Sequence, residues 1–270
     1  DYQFHVDKQL KRRPHDDLFE ATSQLNVRME STDEGWRLDS RDWQPRDITV
    51  QSEVSSQFIS AFTLAQFNGA TFLVTAVPEK PRPYFELTER VIEQFNELPE
   101  RYSIPADFSA AMYFAGRVLV EKSTVHFARD ISLDHPEKYA YRFLQKHFGL
   151  RWANSSFVVD RVNTANDALP PSYDVALAPD ASLLVAVVCR ILAQDVDFVN
   201  SALLQHKESD RQLALHHLQH AVDEIDTLDD HRIAMAAAVL QLAVPGLRIN
   251  GRDCVSKSFP DFFKQWSQLA

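Results

Sequence analysis

The sequence predicts an α/β fold arranged as two domains. Segments that alternate like strands are followed by longer segments in which apolar residues recur every three or four positions, as in helices. This alternation of strand and helix patterns occurs in two series along the chain, and a run of turn-forming residues at 98–105 separates them. With 270 residues, 45% of them hydrophobic, the chain is long enough to form two cores. We therefore expect one domain over 1–104 and a second over 105–270.

The first domain contains both kinds of pattern. Pro14 stands at the start of a helical pattern, in the first turn, where the missing N–H of proline is tolerated. Ser55 and Ser56 precede another, and either serine can cap that helix or offer its hydroxyl to a ligand. The predicted elements are a strand at 1–6, a helix at 14–27, two strands within 36–50, a helix at 58–65, a strand at 71–77 and a helix at 84–95.

The second domain repeats the alternation. Asp107 is placed to cap its first helix. The run 181–193 has no charge until Arg190, which is typical of a helix packed inside a domain. Asp180 precedes this run and can be explained as a helix cap with favourable dipole energy. The predicted elements are a helix at 108–120, a strand at 124–127, a helix at 136–148, two strands within 150–162 and helices at 183–192, 207–220 and 233–242.

Charge and composition narrow the function classes. The formal net charge of -10 argues against a general surface for nucleic acid or anionic membranes, so we expect a small-molecule partner. Cys189 and Cys254 have no metal spacing and form no disulfide framework, which fits a reducing compartment. No apolar run is long enough to span a bilayer, and the first residues contain neither a signal peptide's apolar core nor an initiator Met. We expect a cytoplasmic monomer and a cut or processed chain.

Two predicted helix starts carry cations. If Lys207 to Arg211 form the opening turn of a helix, then Lys207, Glu208 and Arg211 share one face beside outward-pointing N–H groups. Such a face binds anions, and the cations around Glu208 can tune its proton affinity for acid/base work. The alternative is an exposed helix end with ordinary ion pairs. His231 and Arg232 open a later helix and favour an anion site shared with the first helix start. Lys257 lies in a turn before an aromatic-rich helix and is weak evidence for such a site by itself.

Six ordered segments, together with Arg13-Pro14, carry a resemblance to a known family. The chain resembles the 5-enolpyruvylshikimate-3-phosphate synthases, or 3-phosphoshikimate 1-carboxyvinyltransferases. The matching segments are Ser52-Glu53-Val54-Ser55-Ser56-Gln57-Phe58, Pro83-Tyr84, Pro179-Asp180-Ala181, Lys207-Glu208-Ser209-Asp210-Arg211, Asp229-Asp230-His231-Arg232-Ile233-Ala234-Met235 and Lys257-Ser258-Phe259-Pro260-Asp261-Phe262.

The resemblance implies a two-lobed enolpyruvyl transferase fold, an inside-out α/β barrel of repeated βαβαββ units that closes over its substrates. The implied reaction transfers the enolpyruvyl group of phosphoenolpyruvate to the 5-hydroxyl of shikimate 3-phosphate, in aromatic amino acid biosynthesis, without a metal or organic cofactor. The implied catalytic residues are Asp180, Glu208 and Lys257. Shikimate 3-phosphate would contact Ser55, Ser56, Gln57, Tyr84, Asp180 and Lys207, and phosphoenolpyruvate would contact Arg13, Gln57, Arg211, His231, Arg232 and Lys257.

The sequence also departs from the family pattern. The family begins with a Lys-Ser strand and an Asn-Ala-Gly-Thr-type loop that have no counterpart here, so we expect a divergent member with an incomplete first lobe, inactive as this chain alone. Pro81 and Leu203 replace a family serine and asparagine. These departures motivate an alternative, a non-catalytic homologue that binds a phosphorylated ligand or a partner. A UDP-N-acetylglucosamine enolpyruvyl transferase fits less well, because the Ser-Ser-Gln and Lys-Glu-Ser-Asp-Arg segments belong to the shikimate branch.

Overall fold

The chain divides into two compact units, Asp1–Ser103 and Ile104–Ala270. The computed structural model describes residues 1–51, 57–67, 69, 73–77, 83–96, 104–159, 172–205 and 207–269. The expected domain boundary, between 104 and 105, lies one residue from this division.

The described residues of unit 1 form two small sheets and several helices. The elements are β1 (Tyr2–His5), α1 (Lys8–Lys11), α2 (Asp16–Ser23), β2 (Arg28–Thr32), β3 (Gly35–Asp39), β4 (Ile48–Gln51), α3 (Gln57–Phe67), β5 (Val74–Val77) and α4 (Pro83–Asn96). An antiparallel sheet has the order β1-β3-β2, and β4 pairs with β5 in parallel. The core of unit 1 contains apolar residues from strands and helices, such as Ile48 and Val50 on β4 and Ile59 and Phe62 on α3.

The helix predicted at 14–27 is shorter in the structure. It begins at Asp16, so the prediction that Pro14 lies in its first turn is wrong. It ends at Ser23, because Asn26 adopts a left-handed conformation with φ 56° that turns the chain into β2. Val27 therefore belongs to the chain that leads into β2 rather than to the helix.

The elements of unit 2 are α5 (Phe108–Glu121), β6 (Val125–His126), α6 (Lys138–Phe148), β7 (Leu150–Ala153), β8 (Ser156–Val159), β9 (Ser172–Asp174), α7 (Ser182–Ile191), β10 (Asp197–Val199), α8 (Arg211–His220), β11 (Glu224–Asp226), α9 (His231–Gln241), β12 (Arg248–Asn250) and α10 (Phe262–Gln268). β6, β8 and β7 form an antiparallel sheet, while β9 with β10 and β11 with β12 form parallel pairs. Among the described residues of this unit, these are the three sheets, and none of them closes into a barrel.

Three apolar helices form the centre of unit 2. Residues 182–189 of α7 and 233–240 of α9 are buried without interruption, which confirms the prediction of a helix packed inside a domain. They meet α5 at Gly116, where an added Cβ would lie 2.6 Å from Leu184 Cδ1 and 3.4 Å from Val239 Cγ1. The glycine therefore permits close helix packing. Asp107 caps α5 by accepting a hydrogen bond from Ala110 N, as predicted.

The helices of the described part of the chain include none that is long and apolar enough to cross a membrane.

Arg117 of α5 fastens the last helix to this core. Its Nη1 donates to the carbonyl of Trp266 at 2.6 Å and its Nη2 to the carbonyl of Leu269 at 3.0 Å. The guanidinium also lies 5.1 Å from the centre of the Trp266 ring and pairs with Glu121. A buried cation thus satisfies carbonyl groups at the C-terminal end of α10.

We expect Arg117→Met to lower the free energy of unfolding by about 2–4 kcal/mol, because the carbonyl groups and Glu121 lose their buried partner. Urea unfolding measures the change. The control Arg248→Met removes an arginine side chain that is 68% exposed and should cost less than about 1 kcal/mol. Equal effects of the two substitutions would contradict the anchoring role of Arg117.

Candidate functional site

The starts of three helices lie together in unit 2. α7 packs against both α8 and α9, so side chains near their first residues can meet. Asp180, two residues before α7, contacts Arg211, the first residue of α8, through Oδ1 and Nη1 at 2.9 Å. The other oxygen of Asp180 lies 3.0 Å from Nη2 of Arg232, the second residue of α9. One carboxylate therefore links two helix-start arginines.

Arg211 is at the centre of this cluster and is only 3% exposed. Its Nε and Nη2 donate to the two oxygens of Asp230 at 2.6 and 3.1 Å, and Glu208 Oε2 lies 3.5 Å from Nη2. Burial lowers the pKa of Arg211, but attraction to Asp230 and Asp180 outweighs burial and raises that pKa above its ordinary value. The guanidinium remains charged and held in place.

Asp230 is fully buried and accepts hydrogen bonds from several groups. Besides Arg211, they come from Ser209 Oγ at 3.0 Å and from the backbone N of Arg232 at 2.9 Å. Burial raises the pKa of Asp230, but the charge and hydrogen bonds of Arg211 outweigh burial, and the pKa lies below its ordinary value. The same side chain caps α9 and fixes Arg211.

Glu208 lies between His231 and Lys257. His231 Nδ1 is 3.0 Å from its Oε2, and Lys257 Nζ is 3.3 Å from its Oε1. Burial raises the pKa of the Glu208 carboxyl, but the close contact with His231 and the charge of Arg211 outweigh burial, and the pKa lies below its ordinary value. Glu208 is therefore ionised at neutral pH in this arrangement.

Lys257 is held by a strained turn as well as by Glu208. Its Nζ lies 2.7 Å from both the backbone oxygen and Oδ2 of Asp229. Leu228 and Asp229 have φ values of 50° and 58°, in the left-handed region that non-glycine residues seldom occupy. Burial lowers the pKa of Lys257, but its hydrogen bonds to Asp229 and Glu208 outweigh burial and raise that pKa.

One expectation about the helix starts is wrong. α8 begins at Arg211 with Asp210 as its cap, so Lys207, Glu208 and Ser209 precede the helix rather than forming its opening turn. At the start of α7, the Ala181 N–H donates to buried Glu137 Oε2 at 2.9 Å. The carboxylate of Asp180 pairs with Arg211 and Arg232.

The structure brings together most of the candidates predicted in unit 2. Asp180, Glu208, Arg211, His231, Arg232 and Lys257 form one connected set of ion pairs. Lys207 is the exception, since it has no ion pair with the described residues. Sequence reasoning missed the contributions of Ser209, Asp229, Asp230 and Glu137. An aspartate directly before a helix, such as Asp230, is predicted from sequence to be a cap. The pairing of Asp230 with Arg211, 19 residues away, is visible only in the structure.

The other candidates belong to unit 1. Arg13 lies between α1 and α2, Gln57 is the first residue of α3, and Tyr84 is the second residue of α4. The side chains of Thr88 and Ser60 hydrogen-bond at 3.0 Å and join α4 to α3. Ser55 and Ser56 lie outside the described residues.

The charge pattern suits an anionic ligand. Glu208, Asp230 and His231 place possible metal-ligand atoms within 4.8 Å of one another, but both carboxylates also face the Arg211 guanidinium, which would repel a metal ion. The cationic side chains each face a carboxylate, so an incoming phosphate or carboxylate can exchange with one of these partners. The ion-paired residues are Asp180, Glu208, Arg211, Asp229, Asp230, His231, Arg232 and Lys257.

Comparison with known proteins gives a consistent result. A curated relative from Paraburkholderia phytofirmans, named 3-phosphoshikimate 1-carboxyvinyltransferase, is 28% identical over an alignment of 324 residues that covers 100% of this chain and 75% of the relative. A relative of the same name from Idiomarina loihiensis is 27% identical, and the alignment covers 84% of this chain and 62% of the relative. Another from Colwellia psychrerythraea is 24% identical, and the alignment covers 97% of this chain and 72% of the relative.

A family model described as EPSP synthase (3-phosphoshikimate 1-carboxyvinyltransferase) matches residues 2–219 and 214–266. These ranges contain every element of the ion-paired cluster and every candidate of unit 1. The match extends over nearly the whole sequence, and the chain therefore belongs to the EPSP synthase family.

Proposed function

We propose that the ion-paired cluster of unit 2 binds the anionic groups of phosphoenolpyruvate and moves the protons of the enolpyruvyl transfer. As a member of the EPSP synthase family, the protein is a 3-phosphoshikimate 1-carboxyvinyltransferase, a transferase of the shikimate pathway. The observation that carries the residue assignments is the linkage of Asp180 and Glu208 to Arg211, Arg232 and Lys257 at the starts of packed helices.

Arg211, Arg232 and Lys257 form the anion-binding part of this proposal, with His231 beside them. Buried Arg211 is fixed by Asp230 and supplies a constant positive charge. Arg232 and Lys257 are 15% and 35% exposed at their side chains, so both are accessible to a ligand. Arginine pairs with phosphate and carboxylate through two parallel hydrogen bonds, and lysine acts as a point charge. Together they stabilise the negative charge that grows on the departing phosphate.

Asp180 is the base in this proposal. It accepts the proton of the attacking 5-hydroxyl while that oxygen bonds to C2 of phosphoenolpyruvate. Arg232 faces Asp180 in the structure, and in this proposal phosphoenolpyruvate attracts Arg232 toward its own anionic groups. Asp180 then becomes a stronger base, because an opposite charge moves away from its carboxylate.

Glu208 and Lys257 carry the second proton. Protonation of C3 completes the tetrahedral adduct, and loss of a proton from C3 with departure of phosphate regenerates the enol ether. Glu208 is ionised in the structure, since the groups around it hold its pKa below the ordinary value. A bound anion that engages Lys257 and Arg211 weakens this effect and raises the pKa of Glu208. Substrate binding thereby prepares the carboxyl to exchange a proton.

Shikimate 3-phosphate is assigned chiefly to residues of unit 1. The family match supports a two-lobed arrangement of repeated βαβαββ units, with residues 1–104 as the shikimate-phosphate side and 105–270 as the phosphoenolpyruvate side. The proposed contacts with shikimate 3-phosphate are Ser55, Ser56, Gln57, Tyr84, Asp180 and Lys207, and Arg13 and Gln57 join the phosphoenolpyruvate contacts. We also propose that the protein acts as a cytoplasmic monomer on these small substrates.

Phosphate release tests the function directly. The purified full-length protein is incubated with phosphoenolpyruvate, with shikimate 3-phosphate and with both. We expect release only when both are present, because the hydroxyl must add before phosphate departs. Folded protein without release from the mixture would contradict the proposed transfer.

Replacing Arg232 tests the anion-binding role. We expect Arg232→Gln to lower kcat/KM for phosphoenolpyruvate by about 100-fold, since a charge-assisted contact with the substrate is lost. Steady-state phosphate release measures the change, and circular dichroism verifies the fold. The control Arg252→Gln changes an exposed arginine that lies over Phe263 outside the cluster and should retain wild-type kinetics. Near-normal kinetics for Arg232→Gln would refute the assignment.

Replacing Asp230 tests the charge that holds Arg211. Its folded-state pKa is depressed, so its contribution to stability is present above the unfolded pKa near 4 and is lost as pH falls through the folded value. We expect Asp230→Asn to cost about 3–5 kcal/mol at pH 7, because Arg211 loses a buried partner. Urea unfolding between pH 7 and pH 3 should show this difference shrinking as the wild-type carboxyl becomes protonated.

The matched control is Asp197→Asn, at an exposed position of β10. Its difference from the wild type should be small at every pH. A cost for Asp230→Asn that stays constant down to pH 3 would mean that the Asp230 charge does not stabilise the fold.

A further inference from the structure

Two histidines of α8 form a close pair on the surface of unit 2. His216 and His220 are four residues apart, so they lie on the same face of the helix. Another face of α8 packs into the core through buried Ala214, Leu215 and Leu218, whereas both histidines are exposed. The centres of the two imidazole rings are 4.4 Å apart. An ion in solution can therefore reach both rings at once.

His220 already has the surroundings of a metal ligand. Its Nδ1 lies 2.8 Å from the carbonyl oxygen of His216. A carbonyl oxygen only accepts hydrogen bonds, so Nδ1 carries the proton and Nε2 keeps its lone pair. Histidines that bind metal ions commonly donate their second ring N–H to a carbonyl in this way, which fixes the tautomer and the orientation of the ring. Nε2 of His220 is therefore the first ligand atom that the geometry offers.

His216 is close enough to supply the second ligand. An imidazole nitrogen binds Zn²⁺ at about 2.0–2.1 Å, so two rings on one ion have centres within about 6 Å of each other. The observed separation of 4.4 Å meets this condition. The rings are stacked with an angle of 30° between their planes. Rotation of the exposed His216 ring about its Cβ–Cγ bond, a torsion with broad preferences, turns a nitrogen toward the ion.

The backbone beneath the pair is held from the core side. Arg190, in the last turn of α7, donates to the carbonyl of Leu218 at 2.6 Å and to the carbonyl of Ala221 at 2.5 Å. These bonds satisfy carbonyl groups at the C-terminal end of α8, where helices lack internal partners. The last turn of α8 is thus ordered before an ion binds, which reduces the entropy cost of binding.

We propose that His216 and His220 bind one divalent transition-metal ion, with water in its remaining coordination positions. Imidazole nitrogens suit Zn²⁺, Cu²⁺ and Ni²⁺, whereas Mg²⁺ prefers oxygen ligands. The site is separate from the ion-paired cluster, because Arg211 precedes His216 by about 8 Å along the axis of α8. The bound ion links successive turns of α8. It stabilises the folded protein, since the two histidines have this spacing only when α8 is helical.

Zinc titration of the purified full-length protein, prepared without a histidine tag, tests the site. We expect isothermal titration calorimetry to show saturable Zn²⁺ binding that His216→Gln and His220→Gln each lose, because one imidazole alone does not chelate the ion. Circular dichroism verifies that each variant is folded. Zn²⁺ binding that is equal in the wild type and in both variants would overturn the proposal, as would Mg²⁺ binding that depends on the same two histidines.

The matched control is His217→Gln. His217 is another exposed histidine of α8, but it lies about 100° around the helix from His216, and their ring centres are 6.2 Å apart. This variant should keep the Zn²⁺ binding of the wild type. Loss of binding in His217→Gln together with retention in His216→Gln would refute the assigned pair.

Thermal unfolding supplies a second readout. We expect Zn²⁺ to raise the Tm of the wild type and of His217→Gln, because an ion that binds the folded state stabilises it. The Tm of His216→Gln and of His220→Gln should not respond to Zn²⁺. A rise in Tm of the same size in all four proteins would show that the stabilising ion binds elsewhere.

Discussion

The buried pair of Arg211 and Asp230 is the interaction on which the rest of the site depends. Removing a guanidinium and a carboxylate from water is costly, and only direct pairing with additional hydrogen bonds offsets that cost. Asp230 meets this condition through two contacts with Arg211 and further bonds from Ser209 and the start of α9. The pair thereby joins the first turns of α8 and α9. It also fixes the position of the Arg211 charge, which Asp180 and Glu208 contact.

Around this pair the more accessible charges remain exchangeable. Asp180 and Glu208 each contact Arg211 and a second cationic side chain, Arg232 for Asp180 and Lys257 for Glu208. In the proposed function, a ligand anion competes with these carboxylates for the cations, so ligand binding is coupled to the proton affinity of the two acids. The proposed transfer uses this coupling, because its base and its proton carrier act after an anionic substrate binds.

Much of the helical structure follows from local pattern. Asp107 caps α5 as predicted, and the apolar run of α7 is buried, since capping and periodicity depend on residues close in sequence. Strands such as β2, β9, β10 and β11 were missed. Those of three residues are too short to show alternation and exist because a partner strand pairs with them, as β12 does with β11. The end of α2 was missed because Asn26 adopts a left-handed conformation.

The sequence by itself determined the α/β class, the order of the charged helix starts and the segments that resemble the family. These properties are carried by residue type and spacing, which a linear pattern preserves. Only the tertiary structure decided which charges meet: Asp180 with Arg211 across 31 residues, and Glu208 with Lys257 across 49. It also showed that Lys207 precedes α8. The physical reason is that ion pairing depends on distance and burial, and both arise when α7, α8 and α9 pack together.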